Sequence, residues 1–477
     1  MNDKFEIVAK TFQGLEQVLA EELSELGAEN IQKGLRMVSF EGDKEMMYKA
    51  NFCLRTALRI LKPIKHFSAK DADEVYEQVK AINWEEFMTD KSTFAIDAVV
   101  NSEEFRHSKF VAYRVKDAIA DYFREKTGNR PSVRINNPDL ALNIHIAQTS
   151  CTLSLDSSGE SLHRRGYRQE AVEAPLNEVL AAGIIKLTGW NGECDFIDPM
   201  SGSGTFPIEA ALIARNIAPG VFRKGYAFEK WSDFDQELFE QIYNDDSKER
   251  EFEHKIYAYD NSPRAIAIAT ENIKAAGVNK DIILTFQPFQ QFQQPTEKSI
   301  MVTNPPYGER ISTNDLLGLY KMIGERLKHA FIGNEAWILS YHDECFAQIG
   351  LKPSTKIPLF NGPLECELHK YEIFDGKYKE FKTDKDSREK DFERAPRKEF
   401  KVRREYRSHD DRDNKDGRSR DSRGRDSRGK DFHSRDSRGR GDRRDSRDGN
   451  NRNERSRSFD RKPISKYHKK DENKEFD

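Results

Sequence analysis

Cysteine is scarce in this chain. Five occur among 477 residues (Cys53, Cys151, Cys194, Cys345 and Cys366), scattered, odd in number and without a C-x-x-C pair. That argues against a disulfide framework or a zinc site and for a reducing compartment. Long apolar runs are lacking too. None approaches roughly 18 residues, and Met1-Asn2-Asp3-Lys4-Phe5-Glu6 leads into no apolar stretch of the kind a secretory signal needs. The expectation is a soluble, intracellular protein with no membrane partner and no metal.

What is present divides by charge. The formal net charge is −3, but the average hides two halves. From Gly376 onward there are 36 Lys+Arg against 25 Asp+Glu, about +11, which leaves about −14 for the preceding residues. Beyond Gly376 the apolar content collapses and Asp-Ser-Arg-Gly recurs at 421–424, 426–429 and 436–439. Such a segment buries too little apolar surface to offset its chain entropy, so residues 376–477 are expected to be a disordered basic tail. A basic tail suits a polyanion, RNA first, although it could also serve solubility alone.

The body has room for two or three domains at roughly 150 residues each. Residues 5–61 read as strand, helix, strand, helix: 5–9 alternates, 14–26 carries Leu15, Val18, Leu19, Leu23 and Leu26 at helical spacing, and Gly27 is a helix stop. A second module follows, with a helix near 73–82, a strand at 93–100, a helix at 109–126 and strands at 140–146 and 151–155. These read as small α+β modules. From about Asn177 strands alternate with helices, the signature of a parallel sheet. Strands are expected at 194–198, 256–260, 282–286, 300–303 and 336–340, with helices at 206–216, 262–276 and 316–331. Asn361-Gly362 signals a turn before a closing antiparallel strand at 366–373.

Three strand ends carry chemistry. After the first comes Asp198-Pro199-Met200-Ser201-Gly202-Ser203-Gly204-Thr205, where glycines let the backbone approach a ligand and a helix N-terminus follows. The phosphate loop G-x-x-x-x-G-K-[ST] needs a lysine that is absent, which disfavours nucleotide hydrolysis. The second strand ends at Asp260, either a cap for the next helix or an acceptor for ribose hydroxyls, as in dinucleotide folds. An insertion over 218–253, rich in aromatic and acidic residues, lengthens the gap between them. The fourth strand ends at Asn304-Pro305-Pro306-Tyr307. Two prolines stiffen that loop, which then either is a structural turn or holds an amide, a carbonyl and a ring around a planar amine-bearing group.

In this order, Gly202-Ser203-Gly204-Thr205, Asp260 and Asn304-Pro305-Pro306-Tyr307-Gly308-Glu309-Arg310 resemble the class I S-adenosyl-L-methionine-dependent methyltransferases. More narrowly they resemble the bacterial large-subunit ribosomal RNA guanine-N2 methyltransferases that carry a THUMP domain. The linker His163-Arg164-Arg165-Gly166-Tyr167-Arg168, with Glu173-Ala174-Pro175-Leu176-Asn177-Glu178, is similar to that family's lead-in to the catalytic domain. The likeness covers about 1–375. It implies a ferredoxin-like module at 1–60, a THUMP RNA-binding domain at 45–157 and a Rossmann-like α/β methyltransferase domain at 165–375.

The resemblance also implies roles. Asp198, Gly202, Gly204 and Thr205 would face the methionine and ribose side of the cofactor, and Asp260 the ribose hydroxyls. Many relatives place an acidic residue for the adenine amine where this chain has Gln287-Pro288-Phe289-Gln290; Gln287 or a main-chain group would substitute, with Phe289 over the adenine ring. The Asn304 side-chain oxygen and the Pro305 carbonyl would grip the target amine, and Tyr307 would stack on the flipped base. A guanine amine is a poor nucleophile because its lone pair is delocalised into the ring; two acceptors on its N–H bonds favour the pyramidal nitrogen that attacks.

The implied partner is large-subunit ribosomal RNA or a ribosome-assembly intermediate in the cytoplasm, with oligomeric state left open. The basic residues Arg106, His107, Lys109, Arg114, Lys116, Arg130 and Arg134 are either a solvated face or part of the RNA grip. Alternatives are an adenine-N6 or other amine acceptor on RNA, a protein glutamine, or a non-catalytic RNA-binding or ribosome-assembly factor.

Overall fold

The computed structural model describes residues 4–172, 175–294, 298–306 and 313–374. Tyr307, Gly308, Glu309, Arg310, Glu173, Ala174 and the basic tail lie outside the described residues. In chain order the first half contains β1 (Phe5–Lys10), α1 (Glu16–Leu26), β2 (Glu29–Gly34), β3 (Met37–Gly42), α2 (Lys44–Cys53), β4 (Arg59–Ser68), α3 (Ala72–Lys80), β5 (Thr93–Asn101), α4 (Ser108–Thr127), β6 (Ser132–Val133), β7 (Leu140–Ala147) and β8 (Ser150–Asp156). Val18, Leu19 and Leu23 give α1 its buried face, and Gly27 ends it at φ +87°, a left-handed cap that costs glycine little. Asp43 and Asp71 accept main-chain N–H bonds at the starts of α2 and α3.

The eight strands form one mixed sheet in the order β2-β3-β1-β4-β8-β7-β5-β6. The small modules expected from the sequence therefore share a single continuous sheet. The join is β4, antiparallel to β1 on one side and to β8 on the other. Pro63 falls where the β4–β8 register shifts, a position where the ladder tolerates its missing N–H.

The second half contains α5 (Glu178–Thr188), β9 (Asp195–Asp198), α6 (Thr205–Ala214), α7 (Gln236–Asn244), β10 (Ile256–Asp260), α8 (Pro263–Ala275), β11 (Ile282–Phe286), β12 (Ser299–Thr303), α9 (Thr313–Ala330), β13 (Glu335–Ser340), α10 (Asp343–Ile349), β14 (Thr355–Asn361) and β15 (Leu364–Glu372). Its sheet runs β11-β10-β9-β12-β13-β15-β14. β9 to β13 are parallel, and β15 closes against β13 antiparallel. The order reverses beside β9, which creates a crevice at the carboxyl ends of β9, β10 and β12. Gly362, at φ +64°, opens the two-residue turn between Asn361 and Leu364, which pair across the hairpin.

The insertion belongs to the second half in sequence and to the first half in packing. Tyr226, Phe228, Trp231, Phe239 and Ile242 join the same hydrophobic core as Tyr48 and Phe52. Phe228 stacks on Tyr48 with ring centres 4.3 Å apart, and Phe239 meets Phe52 edge-on at 6.3 Å. The Phe228 N–H donates to the Ser157 carbonyl at 3.1 Å, which ties it to the strand connection beyond β8. A second seam runs along α5, where Leu15 lies so close to Gly183 that a Cβ there would collide with it. Among the described residues no helix is long and apolar enough to cross a membrane.

Candidate functional site

The carboxyl ends of β9, β10 and β12 bring Asp198, Asp260 and Asn304 to one edge of the parallel sheet. Between them the Gly-rich turn leaves β9. Gly202 and Gly204 take φ +55° and +83°, left-handed values that disfavour side chains. A Cβ on Gly204 would press on Ala269 of α8 at 3.3 Å, whereas one on Gly202 would find only Val172, at 3.7 Å. Gly204 thus lets two helices approach, and Gly202 leaves room beside the main chain.

Asp260 fixes this turn. Its Oδ2 accepts the Gly202 N–H at 2.9 Å and its Oδ1 the Ser262 N–H at 2.8 Å. The N-cap of α8 is Ser262, whose hydroxyl accepts from Ala265 N–H. Of the two roles open for Asp260, helix capping therefore falls to its neighbour. Each carboxylate oxygen retains acceptor capacity for a ligand. Asp198 is 1% exposed and accepts the Met200 N–H at 3.2 Å. Burial, with the Asp260 charge adding to it, pushes its carboxyl up to about 8.

Two buried oxygens at this edge, Ser201 Oγ and Asn304 Oδ1, have no hydrogen-bond partner among the described residues, whereas the Thr303 hydroxyl lies against Asp198 and opposes the upward push of burial on its carboxyl. Buried polar atoms are nearly always paired, so a cluster of orphans marks a place where a ligand is expected. Pro305 follows Asn304 and is buried. The other assigned residues are placed differently. Thr205 Oγ1 accepts from Arg168 at 3.0 Å. Gln287 donates its main-chain N–H to the Asp260 carbonyl and its side-chain amide to the Gln291 carbonyl. Phe289 is not free to cover a ring: it is 4% exposed and packed with Phe292 and Phe331. The exposed aromatic at that corner is Phe286.

Two residues to which the sequence reading gave no individual role hold the turn in place. Arg168, from the linker, donates to Ser203 Oγ at 3.0 Å, to Thr205 Oγ1 at 3.0 Å, to the Leu176 carbonyl at 3.1 Å and to Glu178 at 2.7 Å. One guanidinium thereby joins the linker, the Gly-rich turn and the start of α5. Asn272 of α8 accepts the Gln169 N–H and donates to the carbonyls of Glu170 and Ser203. Nothing local in the sequence announces either, since their partners lie up to 103 positions away.

Residues 165–370 match the family described as the RMKL-like methyltransferase domain, 69–156 the THUMP domain, and 6–61 the RlmL ferredoxin-like domain. A protein of Synechocystis sp., provisionally named an RNA methyltransferase, is 37% identical over 369 residues, which cover 77% of this chain and 96% of that protein. The chain belongs to the THUMP-containing RNA methyltransferases. This methyltransferase is a class I enzyme, and its cofactor is S-adenosyl-L-methionine. The crystal structure of SMU.472 complexed with SAH shares its fold at a TM-score of 0.69 and 29% identity, covering 79% of this chain and 100% of that one. The ribosomal RNA large subunit methyltransferase K/L of Syntrophotalea carbinolica is 38% identical over 392 residues, 79% of this chain but 55% of that protein. The methyltransferase thus spans about half the length of its K/L relatives.

Proposed function

We propose that this enzyme transfers a methyl group from S-adenosyl-L-methionine to the exocyclic N2 amine of a guanine in large-subunit ribosomal RNA. The observation that carries the reading is the Asn304 side-chain oxygen, buried and without a donor at the end of β12. Leaving such an acceptor unpaired costs about 1–3 kcal/mol, which an amine N–H would recover. The Gly-rich turn with Asp260 behind it fits the cofactor, which supplies an electrophilic methyl group on a positively charged sulfonium. Gly202 lets the main chain approach it, Asp260 accepts from ribose hydroxyls, and Asp198 faces the methionine side. Thr205 contributes through the first turn of α6 because its hydroxyl is taken by Arg168, and Gln287 stands near the adenine.

On the acceptor side, Asn304 Oδ1 and the Pro305 carbonyl hold the two amine hydrogens. That draws the nitrogen lone pair out of the ring and aims it at the methyl carbon, while Tyr307 stacks on the base. The large-subunit ribosomal RNA is supported by the name of the K/L relatives, RNA also by the THUMP match at 69–156, and the guanine by the resemblance of the loop motifs. We assign the ferredoxin-like module to 1–60, the RNA grip to the THUMP domain at 45–157, the chemistry to 165–375, a basic auxiliary role to 376–477, and the setting to the cytoplasm.

Nucleoside mass spectrometry of ribosomal RNA from a strain lacking the protein tests this. One N2-methylguanosine should disappear and return with the wild type but not with Asn304→Ala. Loss of N6-methyladenosine would transfer the proposal to adenine, and an unchanged nucleoside profile would refute it.

A further inference from the structure

A cavity of about 510 Å³ opens where the linker over 163–168 passes the turn at 223–225 and the start of α5. Its walls are unusually cationic. Arg165 and Arg223 are buried, and most of their donors are spent on carbonyl oxygens. Arg165 donates to Leu162 and Arg55, and Arg223 to Ser161, Arg164 and Glu160. Carbonyls satisfy the hydrogen bonds without cancelling the charge. Arg165 also ion-pairs with buried Glu209, 3.4 Å from its Nε, whereas Arg223 has no ion pair among the described residues. The remaining positive field is felt by His163 on the same wall. Burial first, then Arg164, Arg165, Arg168 and Arg223, hold its imidazole down at about 4, so it stays neutral.

Two exposed cations remain at the rim. Lys224 is exposed and has no ion pair among the described residues. Among the described residues the Arg164 side chain pairs only with Glu160, at 2.7 Å, with both side chains more than half exposed, a pair worth little against a better anion. Carboxylates are few in the wall, and Glu178 is already bound to Arg168. The floor is Arg168 and Pro175–Glu178, which connects the cavity to the Gly-rich turn.

We propose that this cavity seats a backbone phosphodiester of the RNA substrate, gripped by Arg164 and Lys224 and held in register with the catalytic edge through Arg168. The inference rests on the RNA-substrate reading above. A phosphodiester suits the site because its single charge matches two flexible donors backed by a positive wall, and because phosphate contacts fix register without reading sequence. The position favours RNA as the source: the cavity is walled by the segment that joins β8 to the catalytic domain, over 160–168, and by the start of α5.

The test uses the full-length chain and a labelled transcript of large-subunit ribosomal RNA, with binding followed against salt. Arg164→Gln combined with Lys224→Gln should lower the slope of log K against log [salt] by about 1, the signature of one lost phosphate contact. Cofactor affinity and thermal unfolding should be unchanged, since both side chains are exposed. Arg164→Lys with Lys224→Arg should restore the slope. At constant ionic strength, inorganic phosphate should weaken RNA binding by the wild type more than by the double variant. An unchanged slope, with methylation intact, overturns the cavity and spares the functional reading. Competition of phosphate with the cofactor instead of RNA would also overturn it, by making the cavity a cofactor subsite. A wild type that neither binds nor methylates the transcript defeats the functional reading itself.

Discussion

Replacing Arg168 with Met should loosen the Gly-rich turn without touching any atom that meets the cofactor. The variant keeps the stem and removes five donors. Glu178, whose side chain is 6% exposed, loses its 2.7 Å partner, while Arg168 itself is 17% exposed. Stranding one member of a buried pair costs about 3–5 kcal/mol, and the residual exposure places this case near the lower end, about 3 kcal/mol. Ser203 Oγ, Thr205 Oγ1 and the Leu176 carbonyl also lose their donor, but they act with Glu178 as one unit and do not add. If the whole loss falls on ordering the turn, apparent cofactor affinity drops by up to about 100-fold, because only the ordered fraction binds. Any remainder appears as a lower unfolding temperature.

Titration calorimetry with the cofactor, paired with scanning calorimetry, reads both shares. Arg168→Lys should fall between wild type and Met, since an ammonium cannot span four partners. Combining Arg168→Met with Glu178→Gln should recover part of the loss, because the stranded charge is gone. Unchanged cofactor affinity together with an unchanged unfolding temperature would refute the reasoning. So would a double variant that is worse by the sum of the single effects.

Asn304→Ala should reduce methylation by at least about 10²–10³-fold while cofactor affinity stays within twofold; loss of cofactor binding would count against an acceptor-side role. Phe239→Ala removes a fully buried ring that contacts Tyr48, Phe52 and Phe228, at a cost of about 3–5 kcal/mol. Calorimetry should then show the first core melting earlier, and a change below about 1 kcal/mol would show that the insertion is not part of it. Asp198 binds a proton in the folded state up to about 8, whereas an unfolded Asp releases it near 4. The sign follows: stability present below about pH 4 is lost as pH rises toward 8. Asp198→Asn should therefore gain on the wild type in denaturant titrations between pH 5 and 8, and parallel curves would show that Asp198 is ionised in the free protein.

The parallel strands were legible in the sequence because each is a short apolar run closed by a punctuating residue. Asp198, Asp260 and Asn304 all stand at or just beyond a strand end where the rhythm placed them. Strands that were missed share a physical reason. β4 carries Pro63 and β14 carries Pro358, and proline normally argues against a strand; the first is tolerated at a register shift, the second on the sheet edge. β2, with the sequence Glu29-Asn30-Ile31-Gln32-Lys33-Gly34, is the polar edge of the first sheet, where exposure removes the apolar alternation that periodicity needs. Phe289 failed differently: an aromatic after a strand suits a ligand or a core equally, and Phe292 and Phe331 decided for the core.

The site divides along the same line between local and distant information. Glycine at 202 and 204 and the two prolines after Asn304 act on their own backbone, so their consequences can be read in place. Arg168 and Asn272 reach the turn and the linker across 35 to 103 positions, and the aromatic insertion acts through a core formed by another part of the chain. Those long-range bonds are also what give the local motifs meaning. Once Arg168 has taken Ser203 and Thr205, Asp260 has taken Gly202, and Asp198 has Thr303 beside it, the oxygens left over are Ser201 and Asn304. Had Thr205 or Ser203 been among the orphans, free hydroxyl donors would surround the helix start and favour a phosphate. Instead the orphans run along the strand ends from β9 to β12. An acceptor with no proton of its own stands last, at Asn304 Oδ1, so that end of the crevice selects a donor such as an amine over an anion.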